Sequence, residues 1–230
     1  MALFREYDLR GIVGEELTEA IAEQVGRAYA TMAREQGASR ISLERDDRLS
    51  SPALQQALIK GLLAGGLDVV DLGLCASPLL YFSLFTLPVR GGDVITGGHN
   101  AAEYNGFKIC ISKEAIHGEE IQHLRRWSEP SDLRPNSSRI FSPIPDYLQH
   151  LKGSFADVRA DHLHVVIDCG NSAASLVAKQ ALEQMGCRVP VSTMNWTGVF
   201  PTIIPTPPWS TVSRPDCDRA AAESGCRHRL

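Results

Sequence analysis

"TGGHNAAEYNGFKIC", residues 96–110, sets two glycines, a histidine and an asparagine in a turn, then an apolar-rich segment with one lysine. "DVITG" (93–97) reads as the strand entering this loop and "GFKICIS" (106–112) as the strand leaving it. Gly97 and Gly98 permit positive φ, so successive amides of "TGGHN" are able to form an anion-binding nest. The imidazole of His99 and the ammonium of Lys108 would add donors for phosphate oxygens. Arg10, in "YDLRG", reaches the same anion if its strand lies beside this one. The plain alternative is a tight glycine turn with a solvent-facing histidine.

Outward from this loop, helix and strand signals alternate. Leu17, Ile21, Val25, Ala28, Tyr29 and Met32 recur at helical spacing between Leu17 and Gly37. "RISLER" (40–45) is a short strand and "DDRLS" (46–50) a polar turn. Ser50 or Ser51 caps the next helix, with Pro52 in its first turn. That helix runs through "ALQQALIKGLLAGG" (53–66) to the strand "LDVVDLG" (67–73). Ser77 and Pro78 open a third helix, "LLYFSLFTL" (79–87), and "GEEIQHLRRW" (118–127) is a fourth. This order predicts an α/β fold, with helices on both faces of a sheet.

Ser128 to Pro143 is polar and proline-rich, a connection between domains. "IPDYLQHLKGSF" (144–155) reads as a linking helix, and "LHVVIDCGNSAASLVAKQALEQMGCRVPV" (163–191) as a strand–turn–helix–strand unit opening a second domain. The expected boundaries are therefore 1–143 and 144–230. Beyond Trp196, "FPTIIPTPPWSTVSRPDCD" carries too many prolines for regular structure. Two strands and one helix bury little apolar surface by themselves, so the second domain is expected to be incomplete.

Hydrophobic residues make up 43% of the 230-residue chain, which supports a packed core. A net charge of -4 offers no basic field for nucleic acid or anionic membranes. No apolar run reaches the length of about 20 residues that a spanning helix needs, and "MALFREYDLRG" places charges where a signal peptide would be apolar. The expected location is cytoplasmic. The 6 cysteines, without C-x-x-C spacing, read as reduced and mostly buried thiols.

Two further polar clusters have structural readings. "ERDDRLSSP" (44–52) reads as a helix cap with surface ion pairs. "DCGNSAAS" (168–175) is a possible phosphate seat at a helix N-terminus, but a strand-to-helix turn needs the same residues.

Taken in order and spacing, "YDLRGIVGEELT", "RDDRLSSP", "DVVDLG", "ITGGHNAAEYNGFKI" and "VVIDCGNSAAS" resemble the α-D-phosphohexomutases, the bacterial phosphomannomutase/phosphoglucomutase type. The resemblance covers about residues 4–200 and implies a three-layer α/β/α first domain with a mixed sheet, followed by an incomplete second α/β domain. It implies interconversion of hexose 6-phosphate and hexose 1-phosphate, an intramolecular phosphotransferase (isomerase) reaction of carbohydrate metabolism. The family's active serine lies in a T-(A/G)-S-H-N-P loop and lends its phosphate to the sugar. Magnesium bridges that phosphate to aspartates of a D-G-D-x-D-R loop.

On this match, Thr96, Gly97, His99 and Asn100 fit the serine loop, Lys108 fits the lysine that follows it, and Tyr7 and Arg10 fit residues facing the phosphate. The serine itself falls on Gly98 and the family's proline on Ala101. Glu44 and Asp47 replace the usual glycines flanking the R-D pair. Glycine has no oxygen to carry a phosphoryl group, and Thr96 and Ser112, the nearby hydroxyls, are out of place for it.

No D-G-D-x-D-R segment is present, and Asp216 and Asp218 only superficially resemble it. No metal site and no cofactor are therefore expected for this chain. The expectation is a truncated, catalytically inactive homologue, a pseudoenzyme. The alternatives are a non-catalytic module that binds phosphate or a sugar phosphate weakly, or one part of a split mutase. The incomplete second domain would then offer a surface for self-association or a partner chain.

Overall fold

The computed structural model describes residues 3–126 and 137–190. The expectations for Trp196 and the tail beyond it, for Asp216 and Asp218, and for most of the 128–143 connection lie outside them. The chain divides into two compact units, Met1–Pro143 and Ile144–Leu230.

The first unit contains strands β1 (Leu9–Ile12), β2 (Arg40–Arg45), β3 (Asp68–Leu74), β4 (Gly91–Ile95), β5 (Tyr104–Ile111), β6 (Glu114–Ala115) and β7 (Ser138–Ile140). They form one sheet in the order β1-β5-β4-β2-β3-β7, with β6 paired to β5. β5 runs antiparallel to β1, β4 and β6, while β2, β3, β4 and β7 are parallel neighbours. The sheet is mixed, as the resemblance implied.

Helices α1 (Glu19–Glu35), α2 (Ser51–Ala64), α3 (Pro78–Thr86) and α4 (Glu119–Arg126) cover it. Leu9, Ile41, Leu43, Ile95, Phe107 and Ile109 pack from one sheet face into a core with Val25 and Tyr29 of α1, Leu58 and Leu62 of α2, and Ile121 of α4. Each such large apolar side chain contributes about 1.5–3 kcal/mol on burial. Ser42, lying between Ile41 and Leu43, points to the other face, where its hydroxyl meets that of Ser83 in α3 at 2.8 Å. The three α/β/α layers follow from this alternation.

Local differences from the expected elements have local causes. α1 begins two residues after Leu17, because Thr18 is its N-cap and accepts from the Ile21 amide at 3.3 Å. Ser50 stands at the cap position of α2 with helical dihedrals and makes no capping bond. Its hydroxyl accepts from Asn105 instead. β6 and β7 have too few residues to show a period, and Ile140 of β7 is exposed despite its side chain.

In the second unit, α5 (Ile144–Ser154) lies where the linking helix was expected. The strand expected at 163–169 reduces to one parallel bridge, His164 to Arg188. A strand persists only where a neighbour supplies a ladder, and Leu163 and Val166 are exposed. The helix expected after the Gly-Asn turn is broken into a 3-10 turn (Ala173–Leu176) and α6 (Ala178–Gln184).

Candidate functional site

β4 ends at Ile95, and the Thr96 amide donates to the Gly106 carbonyl at 3.0 Å, so the glycine loop starts beside β5. On the far side of β5 lies β1, with Arg10 opposite Gly106. The condition for Arg10 to join the site is met. Lys108, two residues beyond Gly106, projects from the same sheet face, a diagonal neighbour of Arg10 at about 7–8 Å.

Arg10 is held in place. Nη1 donates to Asn100 Oδ1 at 2.7 Å, and Nη2 pairs with Asp8 at 2.5 Å. Its Nε is buried without a hydrogen-bond partner. Lys108 is half-buried and forms no ion pair among the described residues. His99 is exposed. Tyr7 is also exposed, at 69%.

Gly98 has φ +55°, the left-handed region. A Cβ built on it would stand 3.1 Å from Arg10 Nη2 and 3.4 Å from Nη1. The side-chain position of residue 98, where the family's serine was expected to fall, therefore faces the Arg10 guanidinium directly.

The backbone nest anticipated at Gly97–Gly98 is not open, because both amides are already used. Gly97 N–H donates to Asp46 Oδ2 at 3.3 Å, and Gly98 N–H donates to Thr96 Oγ1 at 2.9 Å. The two glycine amides are thus spent on Asp46 and Thr96. Thr96 is correspondingly a turn-closing acceptor. Ser112 lies six residues along β5 from Gly106, on the order of 20 Å away.

"ERDDRLSSP" is not a set of surface ion pairs. Arg48 is 2% exposed. It donates from Nη1 to the Ala101 and Tyr104 carbonyls at 2.7 and 3.0 Å, and from Nη2 to those of Gly98 and Asn100 at 2.9 and 2.8 Å. Its Nε meets Asp46 Oδ2 at 3.2 Å. Asp46 Oδ1 in turn accepts from the Arg48 amide at 3.1 Å and from Ser51 Oγ at 2.5 Å. Asn105 donates to both Ser50 and Ser51 hydroxyls at 2.9 Å. The one legible signal was placement: an arginine that follows two aspartates, in the polar turn directly after a strand.

Two buried carboxyls lie in the sheet beneath. Glu44, fully buried near the end of β2, is pushed up to about 8 by desolvation, opposed by the Leu80 amide and reinforced by Asp46 and Asp93. Asp93 in β4 is raised well above the usual carboxylate range by burial among Leu43 and Ile109. In both, burial favours the protonated form.

The resemblance brings magnesium into question. Among the described residues no group of three His, Cys, Asp or Glu side chains comes together to hold a metal. Asp46, a carboxylate at the loop, is taken up by Arg48, Ser51 and Gly97. The described residues do not fit the ion. In the second unit, Asp168 Oδ1 closes the Gly-Asn turn by accepting from Gly170 N–H at 2.8 Å, the ordinary turn reading. No described helix is long and apolar enough to cross a membrane.

Comparison with known proteins accords with this geometry. Residues 1–126 match the model for "Phosphoglucomutase/phosphomannomutase, alpha/beta/alpha domain I". A phosphomannomutase/phosphoglucomutase of Pseudomonas putida is 39% identical over 207 residues, covering 90% of this chain and 44% of that protein. A phosphoglucomutase of Neisseria meningitidis serogroup B is 34% identical over 209 residues, 89% of this chain and 45% of the relative. The crystal structure of a family protein from Burkholderia thailandensis superposes with a TM-score of 0.79 at 33% identity, covering 87% of this chain and 45% of the other. The chain thus spans about half the length of the relatives it matches. It belongs to the phosphoglucomutase/phosphomannomutase family.

Proposed function

We propose that this chain holds a phosphate group at the family's first-domain site without lending one, and is inactive as a phosphohexomutase. The observation that carries the reading is Gly98: the serine position has no oxygen, yet it faces Arg10 at 3.1 Å from where a Cβ would stand. Phosphoryl transfer needs an acceptor atom placed in line, and catalysis is almost entirely positioning and charge stabilisation. Thr96 Oγ1 is engaged within the turn, and Ser112 is at the opposite end of β5. Neither substitutes for the missing nucleophile.

The cations support retention of a ligand. Arg10 and Lys108 share one face of the sheet, and a phosphomonoester such as a hexose phosphate is the anion they suit. Asp8 already offsets part of the Arg10 charge, so affinity is expected to be weak, about millimolar, equivalent to about 4 kcal/mol.

Incubation with glucose 1,6-bisphosphate or mannose 1,6-bisphosphate, followed by intact-mass analysis, tests the inactive half. No covalent phosphate is expected, and a phosphorylated Thr96 would overturn it. Calorimetric titration with mannose 6-phosphate tests the binding half, with Arg10→Ala as the control. Heat that is identical in the two proteins counts against the site.

A further inference from the structure

We propose that Arg48 is the positioning residue of this phosphate site, setting where the loop holds Gly98 and Asn100 relative to Arg10. The inference rests on the reading of the site as a phosphate holder. All five guanidinium N–H donors of Arg48 are engaged, four on loop carbonyls and one on Asp46. No other described side chain ties together so many points of residues 96–104.

The consequence for an anion is electrostatic as well as geometric. Carbonyl oxygens are the negative ends of peptide dipoles, and a loop that turned them outward would repel phosphate. Arg48 gathers the carbonyls of Gly98, Asn100, Ala101 and Tyr104 on the buried side. The outer side is left to Arg10 and to the exposed His99. Fixing the Asn100 backbone also fixes the amide oxygen that holds Arg10 Nη1 at 2.7 Å. The chain of contact runs from Arg48 through Asn100 to Arg10.

A second observation is independent of these bonds. A Cβ built on Gly97 would overlap the Arg48 guanidinium carbon. The first glycine of "TGG" is thus explained by the close approach of Arg48, and the second by its backbone conformation. A lysine at 48 would supply the charge as a point, without the planar fork that serves four carbonyls.

The test compares the unaltered chain with Arg48→Lys and Arg48→Ala, titrating inorganic phosphate by calorimetry and following backbone amides by NMR. Arg48→Lys is expected to keep the core amide shifts, to move those of residues 97–101, and to bind phosphate about tenfold more weakly, as for the loss of one charge-assisted hydrogen bond. Free guanidinium ion at low concentration is expected to restore both the loop shifts and part of the affinity in Arg48→Ala. Folded variants with unaltered phosphate affinity and unshifted loop amides would overturn the proposal. So would failure of both variants to fold, which would make Arg48 a fold-stabilising residue only. If the unaltered chain shows no phosphate heat, the phosphate reading fails by itself, and the loop shifts with guanidinium rescue still decide for or against Arg48.

Discussion

The Arg10 guanidinium stands against the empty side-chain position of Gly98, with Nη2 3.1 Å from where a Cβ would be. Asp8 and Asn100 hold it there, and a side chain at residue 98 would require it to give by a few tenths of an ångström. Placing a serine at this position therefore meets two separate costs. The left-handed backbone at φ +55° costs a non-glycine residue about 1–2 kcal/mol. The contact with Arg10 adds to it. Gly98→Ser is expected to lower stability in urea by that amount, and by about 0.5 kcal/mol less in an Arg10→Ala background. Equal losses in both backgrounds would mean that Arg10 does not confine the site.

Gly97→Ala is expected to be worse than Gly98→Ala. At Gly97 the added methyl overlaps a buried, fully bonded guanidinium, an overpacking cost of about 1–3 kcal/mol. Amide shifts of Ala101 and Tyr104, whose carbonyls Arg48 serves, should move with it. Thermal or urea denaturation ranking the two variants in the opposite order would remove the structural account of the first glycine.

Glu44 makes stability depend on pH. Its folded-state value, about 8, lies above the ordinary 4.5, so the folded state binds the extra proton between them. Stability from this group is full below about 4.5, falls as pH rises to about 8, and is level above. Asp93 acts with the same sign. Glu44→Gln is expected to flatten the pH dependence in that window. It should also raise stability at pH 8 by several kcal/mol at most, because each tenfold difference in proton affinity between the folded and unfolded states is worth about 1.4 kcal/mol. Parallel pH profiles for variant and parent would show that the carboxyl is not desolvated.

Cys75 and Cys110 should resist alkylation. Burial pushes both thiols up to about 12, and the thiolate is the reacting form. Peptide mapping after iodoacetamide at pH 8 is expected to show both unlabelled in the native protein and labelled in denaturant. Rapid native labelling of Cys110 would contradict its buried place within β5.

Much of the first unit was legible because its determinants are local. The apolar spacing of Val25, Ala28 and Tyr29 places α1 within two residues, and the alternation in "RISLER" places β2. That residue 98 carries no side-chain oxygen was legible too, since it needs only a residue identity. The reading of Thr96, Gly97 and Gly98 as an amide nest did not survive, because the amides find partners in Thr96 and Asp46. β7 went unseen for a similar reason: its three residues gain strand geometry only from β3.

By itself the chain's sequence determined which residues favour helix or strand, where glycines loosen the backbone, and that no oxygen exists at position 98. Those are properties of single residues and short spacings. The tertiary structure alone decided that Arg48 is buried and serves four carbonyls some fifty residues away, and that Arg10 of β1 shares a sheet face with Lys108 of β5. Both depend on strand order, which brings distant segments within hydrogen-bond reach and leaves no trace in any local pattern.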